Sequence, residues 1–541
     1  MWTKAQQGTA KGAKANATKD NSLSWIWDNI VNYTWKKSVH SITATGVFSA
    51  QKYQYDRLYG ASKDLSFNSL WYNLNGGAIE SLSSNFSQWT MMSYVGRINY
   101  GLMDRYLLTA SLRYDGSSRL SEGNKWALFP SAAIAWRITE EDFAKNLDWL
   151  SNLKLRFSYG QAGNTNSVSP YASEGTISGS VYYPFGTSTS VGNLPANIAN
   201  PMLTWERTSE YNVGLDFGFL NQRISGNIEY YNRTTNDLLM KRNIPVHLGY
   251  SSVTSNVGSV RNSGFELQLN TANIVTKNFA WNTTINLAYN KNEIVSLADE
   301  EDLSNYSIHL KGMRGRYSDK RFIGKPVDTN WTQNTIGVWQ LGEEEEAAKY
   351  GCVPGNFKIK DYNNDGKLTD DDYIIDGKRT PDWTGGMTNM FKIYDFDFSF
   401  HMYFQAGATQ YDRFFENFAL EWNSQNFNNL RTNYWTPENP SNTMGRPSQM
   451  GSRGNIAYER TDFLKVSYIT LGYTLNKRLM SKWGLDNARI YVTVQNPFIL
   501  TKFRGLDPEQ PDLTNIGDTD GMTMNALPVS YTHLTLPTIL R

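Results

Sequence analysis

Between Tyr211 and Phe219 the residues Tyr211, Val213, Leu215, Phe217 and Phe219 are apolar, and Asn212, Gly214, Asp216 and Gly218 between them are polar or small. A period of two predicts a β-strand with two unlike faces. After only Leu220, Asn221 and Gln222 the alternation resumes, with Ile224, Gly226, Ile228 and Tyr230 set against Arg223, Ser225, Asn227 and Glu229. Two strands joined so tightly form an antiparallel hairpin. A long polar, glycine-rich excursion follows, and then Phe265, Leu267 and Leu269 alternate with Glu266, Gln268 and Asn270. The repeating unit is a short turn at one end and a long loop at the other.

The same pattern predicts strands over residues 25–35 and 41–51, 89–102 and 106–114, 131–138 and 153–159, 281–289, 396–404 with a partner starting near Trp383, 463–475, and 490–494. In the 463–475 strand the apolar phase flips between Tyr468 and Ile469, which predicts a bulge. Short helices are expected in "EEDFAKNLDWL" (140–150) and "EEEEAAKY" (343–350). The longest connection, 291–381, exceeds what a compact soluble domain carries without a purpose. The count is about fourteen strands.

Lipid offers no hydrogen bonds, so a sheet that spans a bilayer must close on itself, with one face apolar and the other lining water. The pattern therefore predicts an all-β, antiparallel transmembrane β-barrel with short periplasmic turns and long extracellular loops. Set against a large plugged barrel of about 22 strands, the fourteen are expected to be a partial barrel. On parity, seven strands are expected before them and one after. Composition agrees: aromatic residues are 14% of the chain, with 32 Tyr and 17 Trp, as interfacial girdles require. No apolar run is long enough for a spanning helix. The net charge of +1 suggests no nucleic-acid partner. The single Cys352 excludes an intrachain disulfide and a cysteine metal cluster. Met1 to Asp20 lacks an apolar signal region, so the chain is expected to be a fragment that starts in a loop. Residues 1–24 are then an extracellular loop remnant, 25–528 the partial barrel, and 529–541 a non-native, adaptor-derived tail with Pro537 where a paired strand should lie.

The segment from Leu203 to Met240, "LTWERTSEYNVGLDFGFLNQRISGNIEYYNRTTNDLLM", followed by "NVGSVRNSGFELQL" (256–269), resembles the SusC/RagA-type TonB-dependent outer-membrane transporters. Stretches at 114–138, 153–166 and 462–475 resemble the same family, so the likeness runs from about Trp89 to Pro508. The resemblance implies location in the outer membrane and active import of oligosaccharides or peptides. It also implies a plug, a TonB contact segment and a SusD-like surface lipoprotein as partners, besides the surrounding lipid. Alone, the fragment is expected to be inactive. A passive porin or glycan-binding barrel is the first alternative, and a soluble β-propeller or glycan-active enzyme the second.

Within 291–381, Asp361, Asn363, Asp365, Lys367 (through its carbonyl), Thr369 and Asp372 fit a calcium loop, D-x-N-x-D-G-x5-[DE], with Gly366 at the sharp turn. A structural Ca2+ is the expectation, and a water-exposed Asx-rich turn the alternative. Trp331, Trp339, Trp422 and Trp435 are candidate sugar-stacking residues; otherwise they pack loops against one another. The five histidines show no metal spacing, and no nucleophile elbow or phosphate loop is present. No enzymatic activity is expected. The two faces make opposite predictions: Leu215→Arg should be costly in lipid, and Asp216→Arg much less so.

Overall fold

The computed structural model describes residues 13–65, 72–186, 188–244, 247, 249–250, 252–416, 419, 432–447, 451–482, 484–505, 507–509 and 531–535. Alternating residues form strands here because each strand has one face for hydrocarbon and one for polar partners, and the pairing satisfies the backbone between them. Fourteen antiparallel strands follow one another in sequence order. They are β1 (Ala13–Lys37), β2 (His40–Leu65), β3 (Ala78–Leu102), β4 (Tyr106–Ser117), β5 (Trp126–Arg137), β6 (Leu150–Asn164), β7 (Glu206–Phe219), β8 (Ile224–Asn236), β9 (Ser259–Val275), β10 (Phe279–Ser296), β11 (Trp383–Ile393), β12 (Phe396–Ala406), β13 (Phe463–Thr474) and β14 (Arg489–Thr501). Tyr531–Thr535 adds a short fifteenth, β15, paired with Tyr491 to Gln495 of β14. The sequence pattern predicts no strand within 529–541.

The chain divides into two compact units, one of residues 1–134, 158–209 and 235–257 and a second of 135–157, 210–234 and 258–541. In the first unit β1, β2 and β3 form a three-stranded ribbon, paired from Lys37↔His40 to Ala13↔Leu65 and from His40↔Leu102 to Lys63↔Ala78, with register shifts between Ala13 and Ala15 and between Ala61 and Ser62. The alternation in the sequence starts the first strand at Trp25, ends the second near Gln51 and begins the third only at Trp89, whereas the strands reach Ala13, Leu65 and Ala78. A strand of 25 residues is about 80 Å long at 3.3 Å per residue, whereas an apolar band of about 25 Å needs only about ten tilted residues. Past that band neither face meets lipid, so the alternation that marks a strand disappears while the pairing continues. Residues 13–24, expected as a loop, are strand for this reason.

Within the same unit the alternating apolar side chains lie on the surface. Trp27, Val31 and Tyr33 of β1 and Ile98 of β3 are 53–72% exposed, and among the described residues no sandwich interior covers them. So large an apolar face marks contact with something other than water. The continuous order of neighbours also differs from the repeated blades of a propeller.

The short turns use left-handed residues: Ser38 in the first unit's β1–β2 turn, Met103 and Asp104 between β3 and β4, and Leu220, Asn221 and Gln222 between β7 and β8 of the second unit. These φ values match the twist of a two-stranded ribbon. Register shifts at Val466/Tyr468 in β13 place the bulge within two residues of the phase flip. Glu344–Lys349 is helical as expected. The other expected helix is replaced by a 3-10 turn at Ile138–Glu140 and further single turns, as at Ala144 N–H to the Glu141 carbonyl.

Candidate functional site

On the polar face of the second unit, charges of opposite sign converge from three strands. Lys154 Nζ lies 2.9 Å from Asp216 Oδ2, and Arg156 Nη2 lies 2.7 Å from both Asp216 Oδ1 and Glu229 Oε1. Asn212 donates to the second Glu229 oxygen at 3.1 Å. The small residue in this row has a reason: a Cβ at Gly214 would sit 2.9 Å from the Arg156 guanidinium. Further along, His401 Nδ1 is 2.8 Å from Thr388 Oγ1. A polar recess of about 490 Å³ on this face is lined by Glu229, Glu266, Gln268, Asn286, His401 and Tyr403, among others. The face can order water and hydrogen-bonding solutes. His401 belongs to it, as its place in the polar phase indicates.

In the first unit the Trp205-Glu206 pair is a clamp. Leu203, Trp205 and Glu206 are buried. Trp205 meets Phe129 edge-on at 5.4 Å, and its Nε1 donates to the Lys125 carbonyl at 3.1 Å. Glu206 accepts from the Leu239 amide at 2.9 Å and from Asn164 Nδ2 at 2.7 Å. Arg119 reaches the Thr165 and Val168 carbonyls while its guanidinium covers Trp89 at 4.7 Å. Burial lowers the Arg119 pKa. Lys125, Phe129 of β5, Asn164 of β6 and Leu239 are thus tied to the start of β7.

The long connections of the second unit have cores of their own. Leu303, Leu310, Tyr317 and Phe322 pack with Trp331, and Val338, Phe357, Ile359, Phe415, Trp435 and Met444 belong to another cluster. Trp339 and Trp435 are buried, at 3% and 5% exposure. Tyr350 stacks on Trp339, Lys358 lies over its ring, and Trp435 Nε1 donates to Gln340. Both therefore pack loops and present no face to a sugar in this structure. Trp331 is half-buried and borders a cavity. Trp422 lies outside the described residues.

The Asp361 to Asp372 loop is closed by its own amides. Asp361 accepts from the amides of Asn364 at 2.6 Å and Gly366 at 2.9 Å and from the Tyr350 hydroxyl at 3.1 Å. Asp365 accepts from the Lys367 amide, and Asn363 from the Asp365 amide. Asp372 is fully buried and accepts from Tyr362 and Thr369, completing a reciprocal cap with Thr369. Gly366 turns at φ +78° as the pattern requires. The donors are all oxygen, which suits a hard cation. Among the described residues, however, no group of three or more His, Cys, Asp or Glu is placed to hold a metal. Burial opposes the Asp361 charge, but the hydrogen bonds from Gly366, Tyr350 and Asn364 hold its pKa below the usual carboxylate range. Burial, then Asp361, pushes Tyr350 up to about 12.

Successive antiparallel strands with an exposed apolar face, a hydrogen-bonded polar face, tight turns on one side and packed loops on the other define a transmembrane β-barrel wall. Family comparison agrees. The chain belongs to the TonB dependent receptor-like, beta-barrel family, whose profile matches residues 3–384, and within it to the SusC/RagA type. It is 36% identical to the TonB-dependent receptor SusC of Bacteroides thetaiotaomicron over 432 residues, 78% of this chain and 41% of that protein. It is 32% identical to the TonB-dependent receptor P26 of Formosa agariphila over 513 residues, 92% of this chain and 51% of that protein. The solved RagAB peptide transporter shares the fold with a TM-score of 0.76 at 24% identity, over 92% of this chain and 54% of that one. The chain spans about half the length of the curated relatives it matches.

Proposed function

We propose that the chain is the wall and loop part of an outer-membrane importer that draws energy through TonB and takes up oligosaccharides or peptides. The observation that carries this reading is the family match over 3–384, on strands whose two faces suit lipid and water. In the whole protein a plug and a TonB contact segment complete the machine, and a SusD-like surface lipoprotein meets the loops. On this reading residues 25–528 are wall and loops, 529–541 a non-native tail, and the chain has no transport activity and no catalysis of its own. Uptake of labelled oligosaccharides and peptides by cells with and without the gene tests it. Uptake should fall when the gene is deleted and fall equally when TonB is removed. Uptake that persists without TonB would instead identify a passive pore.

Calcium at the Asp361 loop is a second proposal, favoured by the all-oxygen donor set and the Gly366 turn. Millimolar Ca2+ should slow proteolysis between Asp361 and Asp372, and equal cleavage with and without it would defeat the idea. Acid should have the opposite effect. Because the folded Asp361 pKa is depressed, its contribution is present above the unfolded value of about 3.9 and is lost as pH falls through the lower folded value. Cleavage should therefore quicken only below about pH 4.

A further inference from the structure

The apolar face of the first unit has a hollow that its own packing does not explain. A recess of about 780 Å³ is bordered by Val31, Tyr33, Gly46, Gly96, Ile98 and Leu112, among others. Val31, Gly46, Gly96 and Leu112 lie side by side across β1 to β4, and Tyr33, Ala44, Ile98 and Ala110 form the next row. Large side chains rim the recess, since Val31, Tyr33, Ile98 and Leu112 are 53–72% exposed, and glycine and alanine floor it. Glycine inside a strand weakens it and needs a reason. At Gly116 of β4 the reason is internal, because a Cβ would stand 2.5 Å from the Trp126 ring. At Gly46 and Gly96 a Cβ would meet nothing within 4 Å, and neither has a positive φ. The space they leave open therefore serves something outside the chain.

The rows also fix its depth. Trp27, Phe48, Tyr94 and Trp126 make a continuous aromatic band on one side of the recess, with ring centroids 5.3–6.1 Å apart. Trp35, Tyr100 and Tyr106 stand on the other side. Lys37 lies six residues from Val31 toward the β1–β2 turn, and Lys52 lies six residues from Gly46 in the opposite direction. Six residues cover about 20 Å of strand at about 3.3 Å each, or about 15 Å along the bilayer normal at a tilt of about 40°. That is one leaflet of a hydrocarbon core about 30 Å thick. The recess thus sits at the midplane, with a lysine at each surface. On the short-turn side the charge is basic: Lys36 and Lys37 adjoin His40, whose Nδ1 is 2.8 Å from the Tyr100 hydroxyl, and no acid occurs from Asn29 to Tyr55. The next turn carries one charge of each sign, Asp104 and Arg105. Lysines at a membrane surface attract anionic lipid.

We infer that this face binds one anionic diacyl phospholipid of the short-turn leaflet, with its phosphate on Lys37 and the end of an acyl chain in the hollow at Gly46 and Gly96. A second copy of the chain on a two-fold axis fits less well, because it would set the same hollow against this one. The inference rests on the wall reading of this face and does not depend on cargo or TonB.

The full-length gene product in detergent is titrated with dipalmitoyl- and dilauroyl-phosphatidylglycerol, dipalmitoylphosphatidylcholine and lipid A, and bound lipid is counted by native mass spectrometry. Dipalmitoylphosphatidylglycerol should be retained in preference to the other three, because it joins an anionic headgroup to a chain that reaches the midplane. Gly46→Leu combined with Gly96→Leu fills the hollow without touching the packed sheet. It should weaken dipalmitoylphosphatidylglycerol about tenfold, the worth of roughly two buried methylenes, and leave the dilauroyl lipid unchanged. Lys37→Gln should weaken both phosphatidylglycerols by a similar factor. Unchanged heat-sensitive mobility of the sheet on gels confirms that the variants fold. Equal retention of the two chain lengths, preference for lipid A, no effect of the glycine variant, or a dimer that the glycine variant abolishes would overturn the inference. Folding into lipid vesicles is measured separately, so a protein that inserts but shows no chain-length preference removes this site and leaves the wall reading standing.

Discussion

Trp205→Ala should destabilise the protein by about 3–5 kcal/mol, the range for removing a large buried aromatic side chain. Trp205 is 1% exposed, and three losses coincide there. A cavity opens beside Leu203 and Leu120, the edge-on contact with Phe129 disappears, and the Lys125 carbonyl loses its Nε1 donor. The contact alone is worth about 0.5–1.5 kcal/mol, and the orphaned acceptor about 1–3 kcal/mol, so the cavity need not be large. Glu206→Gln keeps the size and one acceptor and should cost less. Limited proteolysis in detergent reads the result: cuts at 165–205 and 237–244 should appear in Trp205→Ala well before the heat-sensitive mobility of the sheet on gels changes. If cleavage and melting stay as in the parent, the clamp is not what secures these loops.

This clamp shows what the chain's pattern reveals and what it hides. Trp205 and Glu206 are visible as signature residues by resemblance, but their work is not. Their partners at Lys125, Phe129, Asn164 and Leu239 are 33 to 80 positions away, and nothing local marks such contacts. The hairpin of β7 and β8 is legible because lipid and water impose opposite chemistry on its faces. The outer halves of β1, β2 and β3 are not, because both of their faces leave lipid and period two fades into "ATKDNS" and "ESLSSN". Residue type also misleads at Trp339 and Trp435, since a loop core and a sugar platform both favour tryptophan. Turn chemistry does better. Gly366 and the spacing of Asp361, Asn363 and Asp365 correctly indicate a tight acidic loop, and only Asp372 proves to be a buried cap. For Lys154 and Arg156 a signal exists: they alternate with Leu153, Leu155 and Phe157 in the phase that faces Asp216 and Glu229.

Leu215→Arg should cost about 2–4 kcal/mol if that position lies near the bilayer midplane. Leu215 shares the apolar face with Tyr211 and Val213, which are 54% and 44% exposed, and an arginine there must carry its charge into hydrocarbon. Asp216→Arg, one position along, is not the mild control that alternation alone suggests. Asp216 neutralises both Lys154 and Arg156 at 2.7–2.9 Å, and a third cation would leave Glu229 as the only acid beside three bases. These side chains are only 21–29% exposed, so water screens the repulsion incompletely. The cost should approach that of the lipid-facing change, for a different reason. The proper control is Gln268→Arg, an exposed position bordering the recess on the same polar face. It should change folding into lipid vesicles by less than about 1 kcal/mol, as a water-filled lumen permits. Salt separates the two costly variants. Raising ionic strength should relieve Asp216→Arg, whose penalty is charge repulsion, and leave Leu215→Arg unrelieved, whose penalty is desolvation. Equal costs for Leu215→Arg and Gln268→Arg in vesicle folding titrations would remove the two-faced wall on which the barrel assignment depends.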